Sequence, residues 1–241
     1  MRIKHLQPLT VGKSARRVAQ TVTERVCALK NVRIYFKKLD RMKFVSHLDM
    51  NRFMSRQLRL SKLPIWYTEG FNPHPYVTFL LPLSLGFESE YEIMDIRLID
   101  DDYPLPLVKE KLSAVMPSYI EVFDVKEPLS KPGKIGFAKY KIIFKEFEMD
   151  FVKELSKFML SDNIIVEKVG KKGKVKNIDL ATKIRDFSIH QNDNYVELIV
   201  TLPAGSEDSV NPTLLLSAFK DIPHYSVIKI MVYDTDMRKF Q

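Results

Sequence analysis

The chain has 241 residues, 45% hydrophobic and 28% charged, with a formal net charge of +8. That balance suits a soluble protein with a sizeable core, argues against disorder as the default, and allows one large domain or two small ones. A single cysteine, Cys27, excludes a disulfide framework and any thiolate cluster held within the chain; no apolar run reaches bilayer length and no secretory leader is recognisable, so the expected location is the cytoplasm, with no membrane.

In chain order, the first thirty residues hold seven Lys/Arg against one acid, Glu24. This Arg- and Ser/Thr-rich composition formally matches an organellar transit peptide, but it is common in basic tails. The expectation is a basic arm over residues 1–30, or a segment read from an upstream start codon. From Asn31 the pattern becomes regular. NVRIYFKK reads as a strand, residues 47–62 as a helix, YVTFLLPL and EIMDIRLI as strands, residues 104–116 as a helix stopped by Pro117, and SYIEVFDV as a strand. After the Pro- and Gly-bearing EPLSKPGK the order recurs. KYKIIFKEF reads as a strand, residues 149–161 as a helix, and NIIVEKVG as a strand; FSIHQ and YVELIVTLP form a hairpin around Asn192 to Asn194, followed by a helix at 211–219 and the strand YSVIKIMVY. The expected class is α+β: two tandem ferredoxin-like (βαββαβ) units over residues 31–130 and 131–241, the second with an extra hairpin at GKKGK.

Charge is unevenly spread. Residues 31–63 carry nine basic and two acidic side chains, residues 64–130 four and twelve, which describes a polarised surface more than a uniformly basic coat. The basic block contains FVSHLDMNRFMSRQLRL. Ser46 and Asp49 fit a capping box, and Met50, Phe53, Met54 and Leu58 form the core face of the helix that follows. Arg52, Arg56 and Arg59 align with Asp49 on another face, where they either grip phosphate or pair with the acidic segment 88–102. His47, in the first turn, reads equally as a binding group and as a partly buried polar residue.

The next stretch, EGFNPHP, reads as a rigid turn. Gly70 permits a positive φ, Asn72-Pro73 starts the turn, and Pro75 restricts His74 to extended conformations. A turn has no structural need of histidine, so His74 is a candidate binding residue, with Phe71, Tyr76 and Trp66 nearby to stack bases. His47, Asp49, His74, Glu88 and Glu90 are too scattered for a metal site, and no cofactor motif is present. VGKKGKVK lacks the spacing of a nucleotide loop, although Lys171, Lys172, Lys174 and Lys176 can touch phosphate. Ser46, His47 and Asp49 point in different directions from one helical turn, so no catalytic residue is assigned.

FVSHLD, GFNPHP and the following LPLSLGFESEYE resemble an uncharacterised family of bacterial radical-SAM-linked proteins, found as separate chains or as the C-terminal part of a radical-SAM polypeptide. The similarity runs from about Val32 to the C-terminus. KNIDLATKI resembles the family's internal Asp-Leu segment, and VTLPAGSEDSVNPTLLLSAF its small-residue loop; where the family often has Arg-Pro, this chain has Asn211-Pro212. The resemblance implies an accessory role beside a radical-SAM enzyme. The expectation is therefore a non-catalytic partner of such an enzyme that binds structured RNA through His47, Arg52, Arg56, Arg59, Gly70, Phe71, Asn72 and His74. Two alternatives stand beside it: a metal-independent endoribonuclease using the two histidines, by fold analogy with CRISPR repeat-processing ribonucleases, and a protein-interaction subunit that binds no RNA.

Overall fold

A computed structural model describes residues 29–169 and 175–241; most of the basic arm and the GKKGK lysines Lys171, Lys172 and Lys174 lie outside the described residues. Strand β1 (Lys30–Lys38) shows how the chain builds its interior. Successive side chains on a strand point to opposite faces, and here both faces are covered. Val32, Ile34 and Phe36 go to one core, with Met94, Ile96 and Leu98 of β3 (Glu88–Leu98) beside them. Tyr35 of β1 and Tyr91 and Ile93 of β3 go to a second core on the other face.

The first core is closed by α1 (His47–Leu60) and α2 (Leu105–Ser113). α1 buries Met50, Met54 and Leu58, with Phe53 packed at the margin, which is the apolar stripe legible in the sequence. Strands β2 (Val77–Phe79) and β4 (Ile120–Lys126) complete this half, in the antiparallel order β4-β1-β3-β2. The second half comprises β5 (Ile135–Phe144), α3 (Phe151–Met159), β6 (Ile165–Val169), β7 (Val175–Asp179), β8 (Asp186–Gln191), β9 (Val196–Pro203), α4 (Pro212–Leu216) and β10 (Tyr225–Asp234). Its main strands run β10-β5-β9-β8, again antiparallel, while β6 and β7 pair separately as a two-stranded sheet around residues 170–174.

The two halves are joined by hydrogen bonds. Ile228 and Lys229 of β10 pair in parallel with Glu88 and Ser89 of β3, so β4-β1-β3-β10-β5-β9-β8, with β2 on β3, is one eight-stranded sheet. The molecule is mixed α+β with a large, mostly antiparallel sheet and, among the described residues, four α-helices. This junction also explains why YVTFLLPL forms only a three-residue strand. Beyond Phe79 the edge of β3 belongs to β10, so the chain turns away after Leu80 N–H donates to the Ile93 carbonyl (3.1 Å).

Charged groups lie buried at the same junction. Lys229 and Glu92, 1% and 3% exposed, form an ion pair at 2.6 Å, and Lys229 Nζ donates to the Leu81 carbonyl (3.2 Å). Lys38, also buried, donates to the Val45 carbonyl (3.1 Å). Burial pushes its ammonium below the usual lysine range; Glu92 opposes that shift and Lys229 adds to it. A third buried cation, Arg33, makes two 2.8 Å bonds to Asp95 across the β1–β3 ladder and lies 4.9 Å from the centre of the Phe240 ring.

Candidate functional site

The site begins at the capped end of α1. Ser46 Oγ accepts the Asp49 N–H (3.2 Å) and donates to the Asp49 carboxylate (2.7 Å), while Arg52 Nη1 lies 3.2 Å from the same carboxylate. The Ser46 hydroxyl bond is the main reason that the Asp49 carboxyl is held below its usual range, with Arg52 adding to it. The aspartate thus closes the cap through the hydroxyl. Arg52 is the member of the arginine row that has a carboxylate partner; among the described residues Arg56 and Arg59 have none, and none of the three pairs with the 88–102 segment.

The second wall is the hairpin-like stretch from Trp66 to Tyr76. Thr68 N–H donates to the His74 carbonyl (2.9 Å), Tyr76 N–H donates to the Trp66 carbonyl (3.1 Å), and Tyr67 bridges to Pro75. Gly70, at φ +126°, makes the reversal; its backbone lies where an L side chain is strained. These bonds fix His74. Its Nδ1 lies 3.0 Å from the Asn72 carbonyl and 3.1 Å from Thr68 Oγ1. A carbonyl only accepts, so Nδ1 carries the proton and Nε2 is left to meet a ligand.

Between these walls lies a groove of about 350 Å³ lined by Asn51, Arg52, Ser55, Arg59, His74, Pro75 and Val77. Of the expected residues, His74, Arg52 and Arg59 therefore meet. Arg56, exposed, is not in the lining, and Gly70, Phe71 and Asn72 shape or tip the turn without lining the groove. Helical geometry accounts for this difference: at about 100° per residue, positions 51, 55, 59 and 52 span an arc of about 100°, and 56 lies about 40° further round. Asn51, Ser55 and Thr68 were missed by sequence reasoning. The 51/55/59 stripe carried the signal for the first two, whereas Thr68 carried none.

His47 goes elsewhere. Asn51 Nδ2 lies 3.1 Å from both the His47 carbonyl and its Nε2, and the ring packs edge-on to Phe79 (5.3 Å between centroids). Its imidazole lines a separate cavity with Phe36, Lys38, Met50, Phe79, Leu83 and Glu92, whose volume of about 10 Å³ is that of a single water site at most. The two histidines border different spaces; Asn51, which contacts His47, lines the groove. Beside the groove, Arg97 stands 4.3 Å from the Tyr76 ring centre and 5.5 Å from that of Trp66, and Phe71 is fully exposed. Among the described residues no three His, Cys, Asp or Glu side chains gather as a metal site requires, and no helix is long and apolar enough to cross a membrane.

Residues 31–212, which include both walls of the groove, match a family described as uncharacterized protein conserved in bacteria (DUF2344). The chain belongs to this family. No curated protein matches this DUF2344 chain. Among solved structures, the one titled "Crystal Structure of a Cbf5-Nop10-Gar1 Complex" aligns with 82% of this chain and 48% of its own, at 8% identity and a TM-score of 0.43. The DUF2344 chain thus spans about half the length of that chain, in a likeness too slight to carry function.

Proposed function

We propose that this protein is a cytoplasmic, non-catalytic accessory protein of a radical-SAM enzyme that binds structured RNA, with the α1–turn groove as its phosphate site. The observation that carries the binding is the groove itself: two guanidiniums, the Asn51 amide, the Ser55 hydroxyl and the His74 imidazole line one volume of about 350 Å³. Guanidinium forks match phosphate oxygens in charge and geometry, and the fixed imidazole adds a directed acceptor at Nε2, suited to a ribose 2′-hydroxyl. Arg56, on the adjoining face, extends the positive surface along a backbone. The enzyme partnership is carried only by the resemblance of FVSHLD, GFNPHP and LPLSLGFESEYE, with the looser segments after them. The strand orders β4-β1-β3-β2 and β10-β5-β9-β8 support reading the halves as tandem ferredoxin-like units divided near residue 130, with β6–β7 as the added hairpin.

The separation of the histidines favours binding over cleavage, since acid–base chemistry by two imidazoles needs both at one scissile phosphate. The test is binding of a labelled RNA stem–loop measured across a salt series by fluorescence anisotropy. Replacing Arg52 and Arg59 together by Ala weakens binding and lowers the slope of log affinity against log salt by about two, about one per lost phosphate contact. An absence of RNA binding, or a slope unchanged in the double variant, overturns the proposal.

A further inference from the structure

We infer that the groove takes the phosphate of an unpaired nucleotide, whose base stacks on the aromatic side chains displayed beside it; this rests on the phosphate-site reading above. The hairpin geometry places the parts. Trp66 is paired with Tyr76 and Thr68 with His74, and alternate residues of a strand share a face. Trp66, Thr68, His74 and Tyr76 therefore stand in one row, with the groove-lining imidazole two residues from the nearer aromatic ring. The indole and phenol rings lie 5.8 Å apart at 58°, both half-buried, with the Arg97 guanidinium 4.3 Å from the Tyr76 centroid. Phe71, at the tip of the same turn, puts its whole side chain in water.

A duplex keeps its base faces stacked inside and offers a protein its backbone, grooves and 2′-hydroxyls. Aromatic faces beside a phosphate site gain nothing from such a partner. They suit splayed bases in a loop, a bulge or a single-stranded end, which stack on aromatic rings and on guanidinium planes. Size argues the same way, because a groove of about 350 Å³ is on the scale of one small ligand. The row includes no pocket closed around a base edge, so the preference is for unpaired over paired RNA with little choice among bases.

Trp66 is the only tryptophan of the chain, so its fluorescence reports the row directly. The experiment titrates the full chain with a twelve-nucleotide oligouridine and, separately, with a twelve-base-pair RNA duplex, following Trp66 emission and anisotropy of the labelled RNA. The expected result is quenching by the single strand and on the order of tenfold tighter binding of it than of the duplex, with Phe71→Ala weakening single-strand binding on the order of tenfold. Phe71 is fully exposed, so its truncation leaves the fold intact. Equal binding of both RNAs, dependent on Arg52 and Arg59 and without quenching, overturns this inference and leaves the phosphate site standing. No binding of either RNA overturns both.

Discussion

The two histidines, both candidates from the sequence, have different physical situations. His74 is held by the Asn72 carbonyl and Thr68 in a groove with two arginines, whereas His47 borders a cavity that holds one water at most. On the proposed reading His74→Ala removes an Nε2 acceptor suited to a ribose 2′-hydroxyl beside the two guanidiniums, and is expected to lower RNA affinity on the order of tenfold, in the range of a lost hydrogen bond. Wild-type protein leaves end-labelled RNA intact in EDTA; reproducible cleavage, lost in both His47→Ala and His74→Ala, would make the ribonuclease reading the leading one. His74 was legible because prolines and glycine suffice for a turn and the imidazole is surplus to it. The Lys38, Glu92 and Lys229 cluster was not legible, because charged side chains on strands ordinarily sit in water, and only the docking of β10 on β3 buries these.

α1 is the element in which sequence and structure correspond most closely. Its start at His47, its N-cap Ser46 and its buried Met50, Met54 and Leu58 follow from local chemistry that no distant contact can easily override. β2 is the opposite case: its eight-residue apolar run gives no sign of where pairing stops, since a strand from the far end of the chain, β10, occupies the rest of the edge. The cap is testable on its own. Ser46→Ala leaves the Asp49 N–H without its side-chain acceptor and frees the carboxylate from its hydroxyl donor, so chemical denaturation should show a loss of about 1 kcal/mol, typical of N-caps. Because Arg52 holds the other oxygen of the Asp49 carboxylate, its pairing outlasts the loss of the hydroxyl, and RNA binding by the variant should stay close to that of wild type. A loss of binding with unchanged stability would place Ser46 in the site instead of the cap.

At the scale of the whole molecule, the continuous sheet makes the interior of one half the support of the other, and its ionisable groups couple folding to pH. Both Tyr35 and Tyr91 come from the N-terminal half yet pack in the second core with Tyr140. Burial raises the Tyr35 phenol from 10.0 to about 12; Tyr91 and Tyr140 are raised further, again chiefly by burial, with Tyr35 acting on the first and Glu92 on the second. Below the ordinary phenol value all three hold their protons, folded or unfolded, and pH does not act through them. Above it the unfolded chain releases protons that the folded chain keeps, so stability falls as pH rises through the folded value. Lys38 acts with the opposite sign, because its folded value is depressed: stability rises as pH climbs from that value to the ordinary 10.5, and the lysine contributes nothing beyond it. The expected profile of melting temperature is therefore partly sustained near pH 10 and falls towards pH 12. In Tyr140→Phe the fall should be shallower than in wild type, and in wild type a set of the ten tyrosines should ionise only as the chain unfolds, visible in ultraviolet absorbance. Identical alkaline profiles for wild type and Tyr140→Phe would show that this phenol is not shielded by the shared core.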